Sequence, residues 1–185
     1  EKVLNGTPVS LSTFSFVVDS GSPISFETDG SNNILVIPGA AYSITETNPG
    51  ASYNVAYSAG CNGTLDYGQT ATCTITNTEY GKLTIIKNAN PSGSQSFDFT
   101  TAGTGLSDFS LLDNDDVFGS NTKIFSNLLP GTYSVTENTL YGWDLNNVTC
   151  SDGSLNTSIN LSAGEDITCT FTNLMRGVIG GHKYN

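Results

Sequence analysis

Basic charge is what this sequence has least of. Six of its 185 residues are Lys or Arg and one is His, against 17 Asp or Glu, for a formal net charge of −11. Binding to phosphate surfaces needs a basic patch, so nucleic acid and anionic membranes are excluded as partners. The acidic excess suits a solvated, exposed protein. Charge of either sign is scarce, at 12%. Helix surfaces are usually built from Glu, Lys, Arg and Ala, and no window shows a sustained i, i+3, i+4, i+7 apolar stripe, so a helical architecture is excluded too. No apolar run is long enough to span a bilayer and no signal peptide is visible, which leaves no membrane insertion and, for a secreted protein, a mature or excised piece. The lone His182 near the C-terminal end offers no general-base network, and no Ser-His-Asp, Cys-His, HExxH or phosphate-loop motif occurs. Neither turnover catalysis nor a cofactor is expected.

What is present is a set of short alternating or β-branched runs punctuated by turns. Residues 12–18 alternate with Phe14 and Phe16 on one face. Ile34-Leu-Val-Ile37 reads as a short apolar strand ended by Pro38-Gly39, and Tyr42-Ser-Ile-Thr-Glu46, residues 53–57 and Cys73-Thr-Ile-Thr-Asn77 follow. The second half repeats this order. Phe97-Asp-Phe99 answers Phe14-Ser-Phe16, Tyr133-Ser-Val-Thr-Glu137 answers Tyr42 to Glu46, and Cys169-Thr-Phe-Thr-Asn173 answers Cys73 to Asn77. By the same alignment Lys87, ending Leu83-Thr-Ile-Ile-Lys87, answers Lys2. Small β-sandwiches run to about 100 residues, so the expectation is an all-β chain of two tandem antiparallel sandwiches. The domains are placed at 1–79, with a truncated first strand, and 80–175, joined by a short stiff junction, with a strand-like tail at 176–185.

In each half a lysine, a glutamate and an asparagine sit at strand ends or on inward faces: Lys87, Glu137 and Asn173, and Lys2, Glu46 and Asn77. The ordinary fate of such residues is to face water. Buried together they have another chemistry. Desolvation favours neutral amine and protonated acid. The amine can then attack the carboxamide while the acid shuttles protons and ammonia leaves, giving a Lys–Asn isopeptide bond. Three of the five lysines (Lys2, Lys87 and Lys183) fall at one point of the repeat, which scattered surface lysines would rarely do.

A lysine on the first strand, a glutamate after Pro130-Gly-Thr-Tyr-Ser-Val-Thr and an asparagine closing the last strand resemble the CnaB/SpaA-type, prealbumin-like domains of microbial surface adhesins and pilins. The resemblance covers both halves. It implies a prealbumin-like, Ig-like sandwich with isopeptide cross-links. The implied function is an extracellular stalk or filament segment at the cell surface, adjoined by domains of the same chain or by copies of itself head to tail. The competing class is a ligand- or carbohydrate-binding adhesin domain using loops such as 111–121. Those loops are mostly polar, whereas binding tips expose apolar patches, which favours the stalk.

Four cysteines fall two per half. Cys61 and Cys73 flank one turn region and Cys150 and Cys169 another, so each pair is expected to bond within its own domain in an oxidising compartment. A cysteine metal site is disfavoured because no CxxC occurs. Asp113, Asp115 and Asp116 form a weak calcium candidate without EF-hand spacing, better read as a solvated loop. Trp143 reads as a core aromatic rather than a sugar platform. Asn5, Asn62, Asn147, Asn156 and Asn160 begin glycosylation sequons, several expected by chance in so Asn- and Ser-rich a chain. Glycine and lysine recur at the same offsets after Asn173 as after Asn77, so residues 177–185, with Gly177, Val178, Ile179 and Lys183, look like a first strand without a domain. They resemble the opening of an SdrD B-type repeat. Such a strand is expected either to complete a neighbouring copy or to start a further repeat.

Overall fold

A computed structural model describes residues 1–114 and 121–183. The chain forms two compact units, Glu1–Tyr80 and Gly81–Asn185. The first carries β1 (Lys2–Asn5), β2 (Ser15–Val18), β3 (Ile24–Ser25), β4 (Ala41–Thr47), β5 (Tyr53–Tyr57), β6 (Asn62–Thr64) and β7 (Ile75–Glu79). The second carries β8 (Gly81–Asn90), β9 (Gly93–Ala102), β10 (Phe109–Asp113), β11 (Thr122–Leu128), β12 (Gly131–Glu137), β13 (Trp143–Cys150), β14 (Ile159–Leu161) and β15 (Asp166–Met175). Among the described residues, apart from two single 3-10 turns at Leu11–Thr13 and Ala59–Cys61, the regular structure is all β.

Each unit is a sandwich of two sheets. In the second, the sheet β11-β8-β15-β13 faces β10-β9-β12-β14, with Leu83, Ile85, Phe97, Phe99, Val135, Ile159 and Phe171 in one core. The first repeats the plan with β1-β7-β5 and β3-β2-β4-β6 around Phe14, Phe16, Phe26 and Ile75. The first and last strands of each unit run parallel side by side in one sheet, both central in the second unit, with β1 at the sheet edge in the first. β8 pairs with β15 so that Lys87 lies opposite Phe171, and β1 pairs with β7 so that Lys2 lies opposite Ile75. A first and a last strand can neighbour each other in parallel because the whole domain forms the crossover between them.

The period-2 alternation of these strands decides what is buried. Along β8, Gly81, Leu83, Ile85, Lys87 and Ala89 point inward; along β15, Ile167, Cys169, Phe171 and Asn173 do. Lys87 and Asn173 thus take inward places that otherwise belong to aliphatic and aromatic side chains. Gly81 is required by close approach, since a Cβ there would stand 2.7 Å from the Glu165 carbonyl oxygen and 3.0 Å from the Leu161 side chain.

Two sequence expectations are corrected. Ile34–Ile37 is not a strand. Its counterpart β11 is held by residues 81–86 of β8 (Phe125 opposite Leu83, Leu128 opposite Gly81), and no strand stands in that place in the first unit. Without backbone partners the segment stays irregular, with Leu35 fully exposed and Ile37 76% exposed. The strand expected from Cys73 begins only at Ile75, where pairing with β1 and β5 becomes continuous. Residues 177–183 are irregular and exposed.

Core truncation should separate these cases. Phe171→Ala, at a site with no exposure, should cost the second unit about 3–5 kcal/mol. Leu35→Ala should change stability by no more than about 0.5 kcal/mol. Calorimetry of the whole chain, with Trp143 fluorescence reporting the second unit, measures both.

Candidate functional site

The inward positions converge on one polar cluster per unit. In the second, β8 supplies Lys87, β12 supplies Glu137 opposite Phe99 of β9, and β15 supplies Asn173. Lys87 Nζ donates to Asn173 Oδ1 at 2.9 Å and to the carbonyl oxygens of Asn88 and Phe171 at 2.9 and 3.2 Å. Asn173 Nδ2 donates to Glu137 Oε1 in a short hydrogen bond, and Glu137 Oε2 lies 3.8 Å from the amine. The amine also stands 4.2 Å from the centroid of the Phe97 ring. Lys87 has no exposure and Asn173 only 2%.

In the first unit Lys2, Glu46 and Asn77 occupy the same lattice, with Glu46 opposite Phe16 as Glu137 is opposite Phe99. The hydrogen bonds are distributed differently. Lys2 Nζ donates to Glu46 Oε1 at 2.5 Å, and Asn77 Nδ2 donates to the same oxygen at 3.3 Å. The amine stands 4.3 Å from the Phe14 centroid. Glu46 Oε2, Asn77 Oδ1 and Glu137 Oε2 are buried with no hydrogen-bond partner.

Burial dominates the electrostatics. Desolvation lowers the pKa of both amines, opposed by Glu46 at Lys2 and by Glu137 and Asp113 at Lys87. Desolvation also raises the Glu137 carboxyl, opposed by Lys87 and by the hydrogen bond from Asn173. Both directions favour neutral amine beside protonated acid, the pair that nucleophilic attack on a carboxamide needs.

The aromatic floors under the amines, Phe14 and Phe97, were not singled out as site residues from the sequence. Their signal was the repeated Phe-x-Phe of Phe14-Ser-Phe16 and Phe97-Asp-Phe99. In the first unit the Tyr57 hydroxyl also accepts from the Glu46 backbone N–H at 3.1 Å. That contact leaves no trace in the sequence pattern.

The remaining predicted residues lie elsewhere. Cys61 is bonded to Cys73, and Cys150 on β13 to Cys169 directly opposite on β15. Trp143 is partly buried and packs edge-on to Phe97. Asn5, Asn62, Asn147 and Asn160 are exposed, whereas Asn156 is half-buried and donates to the Val135 carbonyl at 2.9 Å. Asp113 accepts from the Ala89 backbone N–H; Asp115, Asp116 and most of loop 111–121 lie outside the described residues, and no metal-ligand cluster occurs among those described. Gly177, Val178, Ile179 and Lys183 make no part of either cluster. Among the described residues no helix is long and apolar enough to cross a membrane.

Several solved structures are similar to the chain. A major pilin (T-13) of Streptococcus pyogenes is 14% identical, with 95% of each chain covered and a TM-score of 0.40. The shaft pilin SpaA of Lactobacillus rhamnosus GG is 12% identical, covering 97% of this chain and 99% of that one, with a TM-score of 0.36. An adhesin of Mobiluncus mulieris, described as containing disulfide, isopeptide and ester cross-links, is 13% identical over 74% of this chain and 59% of that one, with a TM-score of 0.42. No curated protein matches the chain. Residues 83–175, half of the sequence and nearly all of the second sandwich, match the model of the prealbumin-like fold domain, and the chain belongs to that family.

Proposed function

We propose that this chain is a structural segment of a microbial surface stalk or filament, with each sandwich closed by a Lys–Asn isopeptide bond beside its disulfide. The prealbumin-like family is structural rather than enzymatic. The observation that carries the reading is the second-unit cluster: a buried amine 2.9 Å from a carboxamide oxygen, with a buried carboxyl on the nitrogen of that amide. Neutral Lys87 Nζ attacks Asn173 Cγ, forming a C–N bond. Glu137 takes a proton from the attacking nitrogen and delivers one to Asn173 Nδ2. The Cγ–Nδ2 bond breaks and ammonia leaves, so nothing is oxidised or reduced. The reaction is a single self-modification. Lys2, Glu46 and Asn77 carry the same step in the first unit, where the amine is held by the acid rather than by the amide.

The product explains a mechanical role. A bond between Lys87 and Asn173 closes 86 residues of chain separation, nearly the whole unit. In the chain-entropy model a loop of about 100 residues contributes about 4.7 kcal/mol, and tension along the chain bypasses the enclosed residues. The stalk is extracellular, at the cell surface. Its neighbours are further domains of the same chain or the next copy, head to tail.

Intact mass under denaturing conditions tests the bond. The protein should weigh one ammonia less than its sequence for each bond formed, after allowance for the disulfides. Glu137→Ala should restore one ammonia and lower the melting temperature of the second unit. A wild-type mass equal to the oxidised sequence mass sinks the reading.

The pH dependence follows from the shared proton. The reactive state holds one proton on the Lys87–Glu137 pair, so moving it between them leaves the rate independent of pH across a plateau. Below the plateau both groups are protonated and the amine is charged; above it both are deprotonated and no acid remains. The Glu137 shift moves the acid limb up from 4.5 and the Lys87 shift moves the alkaline limb down from 10.5, so the plateau is narrower than the span between those two ordinary values. Refolding unlinked chain across pH, with mass read over time, should show this profile, and closure in the second unit should precede that in the first.

A further inference from the structure

The acidic run that reads as a solvated loop in the sequence begins with a half-buried residue, Asp113. Along β10, Phe109, Leu111 and Asp113 share the inward row, so Asp113 ends the strand in a place that otherwise belongs to a core side chain. The register against β9 shifts between Leu112, opposite Ser96, and Asp113, opposite Gly93, an irregularity of the kind that re-aims a side chain. Asp113 Oδ2 there accepts from the Ala89 backbone N–H at 2.8 Å. Successive N–H groups of a strand alternate in direction, so those of Lys87 and Ala89 point to the same side of β8. The Lys87 N–H goes to the Asn121 carbonyl at 2.8 Å, and β11 pairs with β8 only as far as Ile86. The Asp113 carboxylate takes the next donor, and so fixes the backbone just beyond the reacting amine.

Charged groups around that amine come from two strands. Glu137 on β12 and Asp113 on β10 both favour the protonated amine against desolvation. On β15, Asp166 is paired with Lys82 at 2.6 Å, toward the start of β8. On β11, Lys123 lies opposite Ile85 and holds its amine 5.2 Å from the Phe125 centroid. β14 carries no charged residue. The first unit differs at one position. Phe26 stands for Leu111, its N–H donating to the Phe14 carbonyl as Leu111 pairs with Phe97. Two residues further on is Thr28, exposed and neutral, where the second unit has Asp113. Glu46 is the carboxylate that opposes desolvation of Lys2.

We propose that Asp113 is a positioning residue for cross-link closure in the second unit: it anchors β8 beside Lys87, and its negative charge keeps the proton shared by Lys87 and Glu137 in place at alkaline pH. The proposal rests on the isopeptide reading above and adds a residue to it. A carboxylate near an amine favours the charged amine, so Asp113 holds the alkaline limb of the closure plateau up. Without that charge the pair loses its last proton at lower pH, and no acid remains to protonate the leaving nitrogen.

Refolding unlinked chain across pH, with each cross-link followed by peptide mapping, tests this with the first unit as internal control. Asp113→Asn keeps an acceptor for the Ala89 N–H and removes the charge. The alkaline limb of Lys87–Asn173 closure should move to lower pH, the rate on that limb falling about tenfold for each pH unit of displacement. The Lys2–Asn77 profile should stay where it is. Asp113→Ala should displace the limb and also lower the plateau, because the anchor on Ala89 is lost with the charge. A second-unit profile that keeps its alkaline limb in Asp113→Asn, whatever its height, overturns the proposal, as does one that moves together with the first-unit profile. The charge is also read without the covalent step, by NMR titration of the Lys87 side chain in an Asn173→Ala chain, which cannot close. Adding Asp113→Asn should lower the pH at which Lys87 titrates, and an unmoved titration overturns the assignment. Wild type without a cross-linked peptide sinks the isopeptide reading instead, so the two failures are distinguishable.

Discussion

The parallel pairing of first and last strands is the constraint on which each unit depends. It sets the lysine two positions out of step with the asparagine, opposite Phe171 in one unit and Ile75 in the other. Both side chains then point into the same sandwich interior, where the facing sheet delivers a glutamate. An ammonium, a carboxylate and a carboxamide taken from water into such a core carry a desolvation cost that their mutual contacts only partly offset. The three unsatisfied oxygens, on Glu46, Asn77 and Glu137, are the visible residue of that cost. A neutral amine beside a neutral acid relieves it, and a covalent amide removes one charged pair from the interior altogether.

The two clusters share positions but not hydrogen bonds. Lys87 reaches past Glu137 to the amide oxygen and to two backbone carbonyls, so it is tethered from several sides. Lys2 is tethered to Glu46 alone among side-chain acceptors. The strands carrying them differ in the same sense. β8 runs ten residues with partners on both sides, whereas β1 runs four. A long doubly paired strand restricts where its amine can sit, and a short one leaves that to the side chain's own contacts.

The disulfides secure a different part of the same sheets. Cys150 and Cys169 face each other across β13 and β15, and Cys61 and Cys73 join the corresponding region of the first unit ahead of β7. Both pairs lie toward the beginning of the last strand, while the asparagines lie toward its end.

Much of this was legible in the sequence. The duplicated order of Phe-x-Phe, Tyr-to-Glu and Cys-to-Asn segments determined two similar β-sandwiches, because alternation of period two and turn residues are local signals. The recurrence of Lys, Glu and Asn at matching offsets determined which polar residues to suspect, since repetition is read from the chain itself. Ile34–Ile37 shows where local reading ends. Its composition is that of a strand, yet a strand exists only where a neighbour supplies backbone donors and acceptors, and in the first unit that place is open. The tertiary structure alone decided that Lys2 meets the acid while Lys87 meets the amide, and that Phe14 and Phe97 lie beneath the amines. Those choices depend on register between strands distant in sequence and on desolvation within a closed core, neither of which has a local signature.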